Sequence, residues 1–205
     1  MRRKRIVAAA LAAFGRLDTL VLNAGISGPA TKVGEGDTAL ADVMGINFFA
    51  NAALVEAALP ASRESPAGRI VFVSSTGGLH GVRGRAAYAA SKGAVNGWAL
   101  SLADELRRTA IKVNVIAPYA ATNMTARPDR GPDDRMSPAN AAEALVALCS
   151  PEWSRTGDIW VAGAGHVRPA RALEGAVTRE PASGTAGGTK CHKRCSARCQ
   201  SGRSG

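Results

Sequence analysis

Arg69-Ile70-Val71-Phe72-Val73 is a short run of apolar, β-branched and aromatic residues, closed by the turn residues Ser74-Ser75-Thr76-Gly77-Gly78. A run of this length and make-up reads as a buried strand giving way to a loop. It constrains the fold because it recurs: strands are expected near 17–23, 69–74, 111–116 and 157–162, with helical stretches near 38–60, 86–108 and 138–149 between them. Strands and helices that alternate along one chain argue for an α/β fold with a parallel sheet, and 205 residues suit one domain.

Ser75 sits where the strand ends, and ligands of open α/β sheets bind outside the carboxyl ends of the strands. Tyr88 and Lys92 follow, four residues apart in AAYAASKGAV. On a helix, side chains four apart share a face, with Cβ atoms about 5–6 Å from each other. The spacing therefore sets an ammonium beside a phenol whose reference pKa is about 10, and a nearby positive charge favours the phenolate. A tyrosine so placed is usable as a general acid or base nearer neutral pH. By itself Y-x-x-x-K is a short motif that also occurs by chance.

The surroundings are more specific. LVLNAG (Leu20 to Gly25), Asn47 in a helical stretch, then Ser75, Tyr88 and Lys92, then NVIAP (Asn114 to Pro118) stand in one order. From about Ile6 to about Arg171 the chain resembles the classical short-chain dehydrogenase/reductase family. The resemblance implies a Rossmann-like doubly wound sheet, NAD or NADP as cofactor, and hydride transfer between a carbonyl and a secondary alcohol on a small-molecule substrate. It assigns Tyr88 as the proton donor or acceptor, Lys92 as its partner and a ligand of the nicotinamide ribose, and Ser75 as the donor to the substrate oxygen. Asn47 matches the residue thought to hold a water in a proton relay. Asn23, Ala24 and Gly25 match the turn beside the cofactor, where Leu22 replaces the family's first asparagine, and Pro118 matches the proline after the sixth strand. IAPYAATNMT and the segment after Ser137 are similar to the branch of multifunctional enzymes acting on 3-hydroxyacyl-CoA, which makes that substrate an expectation. The small residues Ala86, Ala87, Ala89, Ala90, Gly93 and Ala94 around Tyr88 fit the helix that forms a homodimer or homotetramer interface in the family. They could equally pack within one chain.

The family begins with T-G-x-x-x-G-x-G, whose amides receive the pyrophosphate, and no such motif occurs in this sequence. The resemblance therefore predicts a fold without the family's first three strands, with the strand around Leu17 to Leu22 left as an edge. It also keeps open an alternative to the oxidoreductase: a catalytically defective fragment, from a truncated or frameshifted gene, holding half of the cofactor site. A basic start followed by IVAAALAAF suggests a signal peptide, but Phe14 to Asp18 lead straight into a strand, and the run is too short for a membrane span of about 20 residues. The expectation is a cytoplasmic protein without a membrane segment.

The formal charge is +10, yet residues 6–165 carry 14 basic and 14 acidic side chains. The excess lies at the ends: +4 in the first five residues and 8 basic against 2 acidic in residues 166–205. No aromatic residue follows Trp160 to stack on bases, so nucleic acid is not an expected partner. Residues 1–177 are expected to form the partial dehydrogenase domain. Residues 178–205, poor in large apolar side chains, form a low-complexity basic tail whose composition predicts disorder. Cys191, His192, Cys195 and Cys199 fall within it but lack paired C-x-x-C spacing, so no metal site is expected. Cys149 lies on an apolar helix face, where a free cysteine behaves as a small hydrophobe.

Overall fold

The structure is a computed structural model that describes residues 2–122 and 136–175. The chain divides into a unit Met1–Arg171 and a unit Ala172–Gly205. Of the second unit only residues 172–175 are described, without a regular element. The tail from 178 onward, with its cysteines, and residues 123–135 of the expected substrate loop lie outside the described residues.

Among the described residues five strands make one sheet in the order β1 (Thr19–Leu22), β2 (Arg69–Val73), β3 (Lys112–Pro118), β4 (Ile159–Gly163), β5 (His166–Ala170). The first four pair in parallel and β5 pairs antiparallel to β4. The four parallel strands stand where the apolar runs place them. β5 is an addition to that expectation: HVRPA is exposed along most of its length and contains Pro169, so no apolar run announces it. Its cause is the turn. Ala164 and Gly165 both have positive φ, 53° and 76°, the pair of left-handed conformations that closes a two-residue hairpin with the twist of its strands.

Side chains alternate across the sheet. Ile70 and Phe72 of β2, with Val113 and Val115 of β3, pack on Val55 of helix α3 (Ala50–Arg63) and on Val95, Ala99 and Leu102 of α5 (Ala86–Glu105). Val71, Ile116 and Ala162 face the other way, onto Leu148 of α6 (Pro138–Cys149). Each fully buried side chain of this size contributes about 1.5–3 kcal/mol. Arg69, read from sequence only as the start of a strand, is buried, and its guanidinium donates to the carbonyls of Ser150 and Pro151 at 2.9 and 2.6 Å, beyond the end of α6. The remaining helices are α1 (Arg2–Phe14), α2 (Leu40–Met44) and the single turn α4 (Gly77–His80).

The helix expected near 38–60 runs from Leu40 to Arg63 but is not continuous α-helix: Gly45–Phe49 form a π-helical turn between α2 and α3. By length and mean hydropathy, 24 residues and 1.4, this segment would suffice to cross a membrane. Here Val43, Asn47, Asn51, Val55, Ala58 and Ser62 are buried, the three- and four-residue stripe of a helix packed on one side.

Among the described residues β1 is an edge strand, paired only with β2. Leu22 is buried, Leu20 partly so, and Val21 is 37% exposed.

Candidate functional site

The carboxyl ends of β1, β2 and β3 open onto a cavity of about 200 Å³ whose wall includes Asn23, Gly25, Ser75, Tyr88, Lys92 and Pro118. Six positions singled out from sequence, scattered over 96 residues, thus meet at one place. Ala24 is not in that wall; its carbonyl accepts from Asn51 Nδ2 at 3.3 Å. Asn47 stands behind Gly25.

α5 brings Tyr88 and Lys92 to the cavity. Its first half, AAYAASKGA, has side chains small enough for α4 to lie against it: a Cβ on Gly78 would meet the Lys92 carbonyl carbon at 2.6 Å and Gly93 N at 2.9 Å. α4 follows directly on Ser75, whose Oγ accepts from Gly77 N–H at 3.1 Å. Turn and helix hold each other, and this fixes Ser75 relative to Tyr88. Ser75 Oγ and Tyr88 Cε1 each lie 3.5 Å from the point that a Cβ on Gly77 would occupy. Val82 Cγ2 lies 2.9 Å from the same point, so a glycine at 77 lets Val82 pack against Ser75 and Tyr88.

Lys92 is 4% exposed, and its ammonium donates to the carbonyl of Val73 at 2.8 Å, at the end of β2. Burial pulls its pKa down from 10.5 to about 8, because leaving water disfavours the charged form. Nζ lies 5.8 Å from the centroid of the Tyr88 ring. It also lies 3.5 Å from where a Cβ on Gly25 would sit, so the glycine keeps this side of the ammonium uncovered. An ammonium carries three donors, and Val73 is its one hydrogen-bond partner among the described residues.

Asn47 is fully buried, and its carboxamide is fully used. Oδ1 accepts from Ile26 N–H at 2.7 Å, while Nδ2 donates to Ile26 O and to Ser91 Oγ, both at 2.9 Å. Ser91 Oγ donates in turn to the Tyr88 carbonyl at 2.8 Å. A single side chain thus ties the turn after β1 to the helix of Tyr88. The main-chain carbonyl of Asn47, inside the π-helical turn, accepts from Asn51 Nδ2 at 2.7 Å, and the turn itself is closed by Ala50 N–H donating to the Gly45 carbonyl five residues back. Ser91 and Asn51 were not legible as site residues, since their partners lie on other elements. Asn96 was missed likewise; its Nδ2 donates to Gly78 O at 3.3 Å and its Oδ1 is buried without a partner.

This arrangement can donate to an oxygen from two sides, through Ser75 and Tyr88, beside a buried charge. Among the described residues no cluster of three His, Cys, Asp or Glu side chains is placed to hold a metal.

A sequence model described as short chain dehydrogenase matches residues 2–132. The chain is 34% identical over 172 residues to peroxisomal multifunctional enzyme A of Dictyostelium discoideum, covering 82% of this chain and 38% of that one. It is 40% identical over 116 residues to the acetoacetyl-CoA reductase of an Acinetobacter species, covering 56% of this chain and 47% of the relative. The chain therefore spans less than half the length of either relative. Among solved structures, a short chain dehydrogenase from Pseudomonas syringae superposes with a TM-score of 0.72 at 34% identity, over 78% of this chain and 67% of that one. One from Shigella flexneri, solved in complex with NADP, gives 0.71 at 32% over 78% and 68%.

Proposed function

The chain belongs to the short chain dehydrogenase family, and from that premise we propose that its cavity reduces a carbonyl to a secondary alcohol, or the reverse, with Tyr88 as general acid or base. The observation that carries this reading is the convergence of Ser75, Tyr88 and the buried Lys92 on one space at the ends of β1–β3. In the reduction, Tyr88 gives its phenolic proton to the substrate oxygen as charge develops there. Ser75 Oγ–H, free to donate because its lone pair holds Gly77 N–H, stabilises the same oxygen, as a prepositioned donor does. The Lys92 ammonium stabilises the phenolate left behind. Asn47 and Ser91 act by position, holding the turn at Ile26 and the helix of Tyr88 together.

The residues present fit the nicotinamide half of NAD or NADP. The cofactor supplies or receives the hydride when bound. Lys92 would hold its ribose hydroxyls with donors that no described residue engages, and Asn23, Gly25 and Pro118 would face it across the cavity. The substrate we propose is a 3-hydroxyacyl-CoA or its 3-oxo form. The similarity of IAPYAATNMT and the segment after Ser137 to multifunctional enzymes supports this, as does the relative named for acetoacetyl-CoA. The assembly we propose is a dimer or tetramer through the face bearing Ala86, Ala89 and Ala90, in a cytoplasmic protein whose dehydrogenase domain extends to about residue 177.

A second reading, a chain that keeps the proton-transfer wall without binding cofactor tightly, is favoured by two observations. No T-G-x-x-x-G-x-G occurs in the sequence, and β1 is an open edge. Titration of the full chain with NADH and NADPH, followed by turnover of 3-oxobutanoyl-CoA and of a simple ketone, separates the readings. Saturable binding with turnover that Tyr88→Phe abolishes supports the oxidoreductase. Turnover unchanged in Tyr88→Phe refutes the assigned chemistry, and failure to bind either cofactor favours the second reading. Reduction of the ketone alone removes the acyl-CoA assignment.

A further inference from the structure

A second recess, of about 250 Å³, lies behind the same stretch of chain that walls the first. Pro118, Ala120 and Thr122 line the cavity of Tyr88, whereas Tyr119 lines the other. This is the alternation that extended backbone imposes. Opposite Tyr119 stand His166 and Arg168 of β5, and Met136, Val161, Gly163 and Ala164 also line the recess.

The recess is held by specific local structure. Tyr119 N–H donates to Ala162 O at 2.7 Å, and a Cβ on Gly163 would strike the Tyr119 carbonyl and come within 2.6 Å of its Cβ. Only a glycine lets β4 and Tyr119 approach this closely. The positive-φ turn at Ala164 and Gly165 then folds β5 back, with His166 opposite Gly163 and Arg168 opposite Val161. Residues two apart on a strand share a face, so an imidazole and a guanidinium line one wall together. Neither has an acidic partner among the described residues. Asp158, just before β4, pairs with Arg155 at 2.6 Å and Arg171 at 3.9 Å rather than with either. A guanidinium with five donors, an imidazole and a phenol around one recess, with no carboxylate among its described lining residues, match the acceptor oxygens of a phosphate or carboxylate.

We propose that the recess between Tyr119, His166 and Arg168 is an oxyanion-binding site, distinct from the cavity of Tyr88 and sharing with it the wall formed by residues 118–122. Its ligand is a phosphate or carboxylate group, either free or carried by a larger molecule. The site is coupled to the first cavity by that shared wall, and Ala121 N–H, which donates to Met136 O at 2.7 Å, fastens the wall to the other rim of the recess.

Titration of the full chain with inorganic phosphate, followed by the NMR shifts of the His166 ring and the Gly165 amide, tests the site. Saturable shifts at those nuclei are expected. Arg168→Gln weakens the binding about ten-fold or more, since it removes a charge-assisted hydrogen bond. Arg107→Gln, at an exposed ion pair with Asp104, leaves it unchanged. His166→Gln, read by phosphorus NMR, is the second variant. No saturable shift at His166, or phosphate binding as tight in both variants as in the parent, overturns the proposal. A 3-oxo carboxylic acid that displaces phosphate, when its methyl ester does not, identifies the anion as part of a larger ligand. If neither displaces it, the site takes a free anion, and both results support the site. Tyr88→Phe binds phosphate as the parent does, so loss of the proposed reaction and loss of this site are read separately.

Discussion

The two sides of the cavity mouth are built differently. On the β2 side every residue from Arg69 to Phe72 is buried, Ser75 is held by Gly77, and Lys92 reaches back to the end of the strand. On the β1 side Thr19, Val21, Asn23 and Ala24 are exposed and the strand has one neighbour. The wall with Ser75, Tyr88 and Lys92 is thus held from within the chain, while the wall with Asn23 and Gly25 rests on an edge strand. Under the proposed function chemistry and cofactor capture fall to different walls, and substitutions on either side test how far they separate.

The largest effect is expected on the closed side. Tyr88→Phe removes one hydroxyl, which has no hydrogen-bond partner among the described residues, so folding is unaffected while turnover falls. Proton transfer by a positioned side chain is worth about 10²–10⁴-fold. Comparing kcat/KM and Tm of variant and parent checks this, and a matching loss of stability would mean that Tyr88 is a packing residue.

Asn47→Ala tests the tie between the two sides. It leaves the N–H and C=O of Ile26 and the hydroxyl of Ser91 without their partner, each at about 1–3 kcal/mol if it stays buried. A loss of about 3 kcal/mol in denaturant unfolding is expected. Because the tie orients α5, activity should fall too, while Asn51→Ala, which touches the turn only through the Ala24 and Asn47 carbonyls, costs less.

Lys92 carries a pH signature. Its folded pKa of about 8 lies below its ordinary 10.5, so between these values the unfolded chain binds more protons and stability rises with pH. The burial penalty is fully present below pH 8 and gone above 10.5. At about 1.4 kcal/mol per pKa unit it amounts to about 3–4 kcal/mol. Lys92→Met should lack this rise. Unfolding free energies of both proteins from pH 7 to 10.5 check it, and parallel curves would show that the ammonium is well solvated.

What was readable from sequence follows the same division. The parallel strands are continuous apolar runs, and the site residues Ser75, Tyr88 and Lys92 belong to one stretch of 18 residues, so local pattern carries them. The structural role of Asn47 depends on Ile26 and Ser91, 21 and 44 residues away. Arg69 depends on carbonyls 81 and 82 residues away. A polar side chain whose partners are that distant leaves no periodic mark. β5 was hidden for another reason: its strand has no apolar face, and its only signal is the Gly-Ala-Gly turn, in which Ala164 takes a conformation more usual for glycine or asparagine.

The smallest thermodynamic effect is expected at the open edge, and it bears most directly on the contrast. Val21 is 37% exposed on a strand whose outer hydrogen-bonding groups face no neighbour in the sheet. Val21→Lys places a charge where natural edge strands carry one to block pairing with another chain. The side chain already meets solvent, so the folding free energy should change by less than about 1 kcal/mol, whereas self-association, followed by light scattering against concentration, should fall. The same lysine ought to leave the Tyr88 side untouched, since that wall is held by β2 and α5. If association persists in Val21→Lys, the edge is not the sticky surface, and the alanine face of α5 becomes the site to charge next. If instead stability falls by several kcal/mol, Val21 is covered in solution, and the β1 side is as closed as the side opposite.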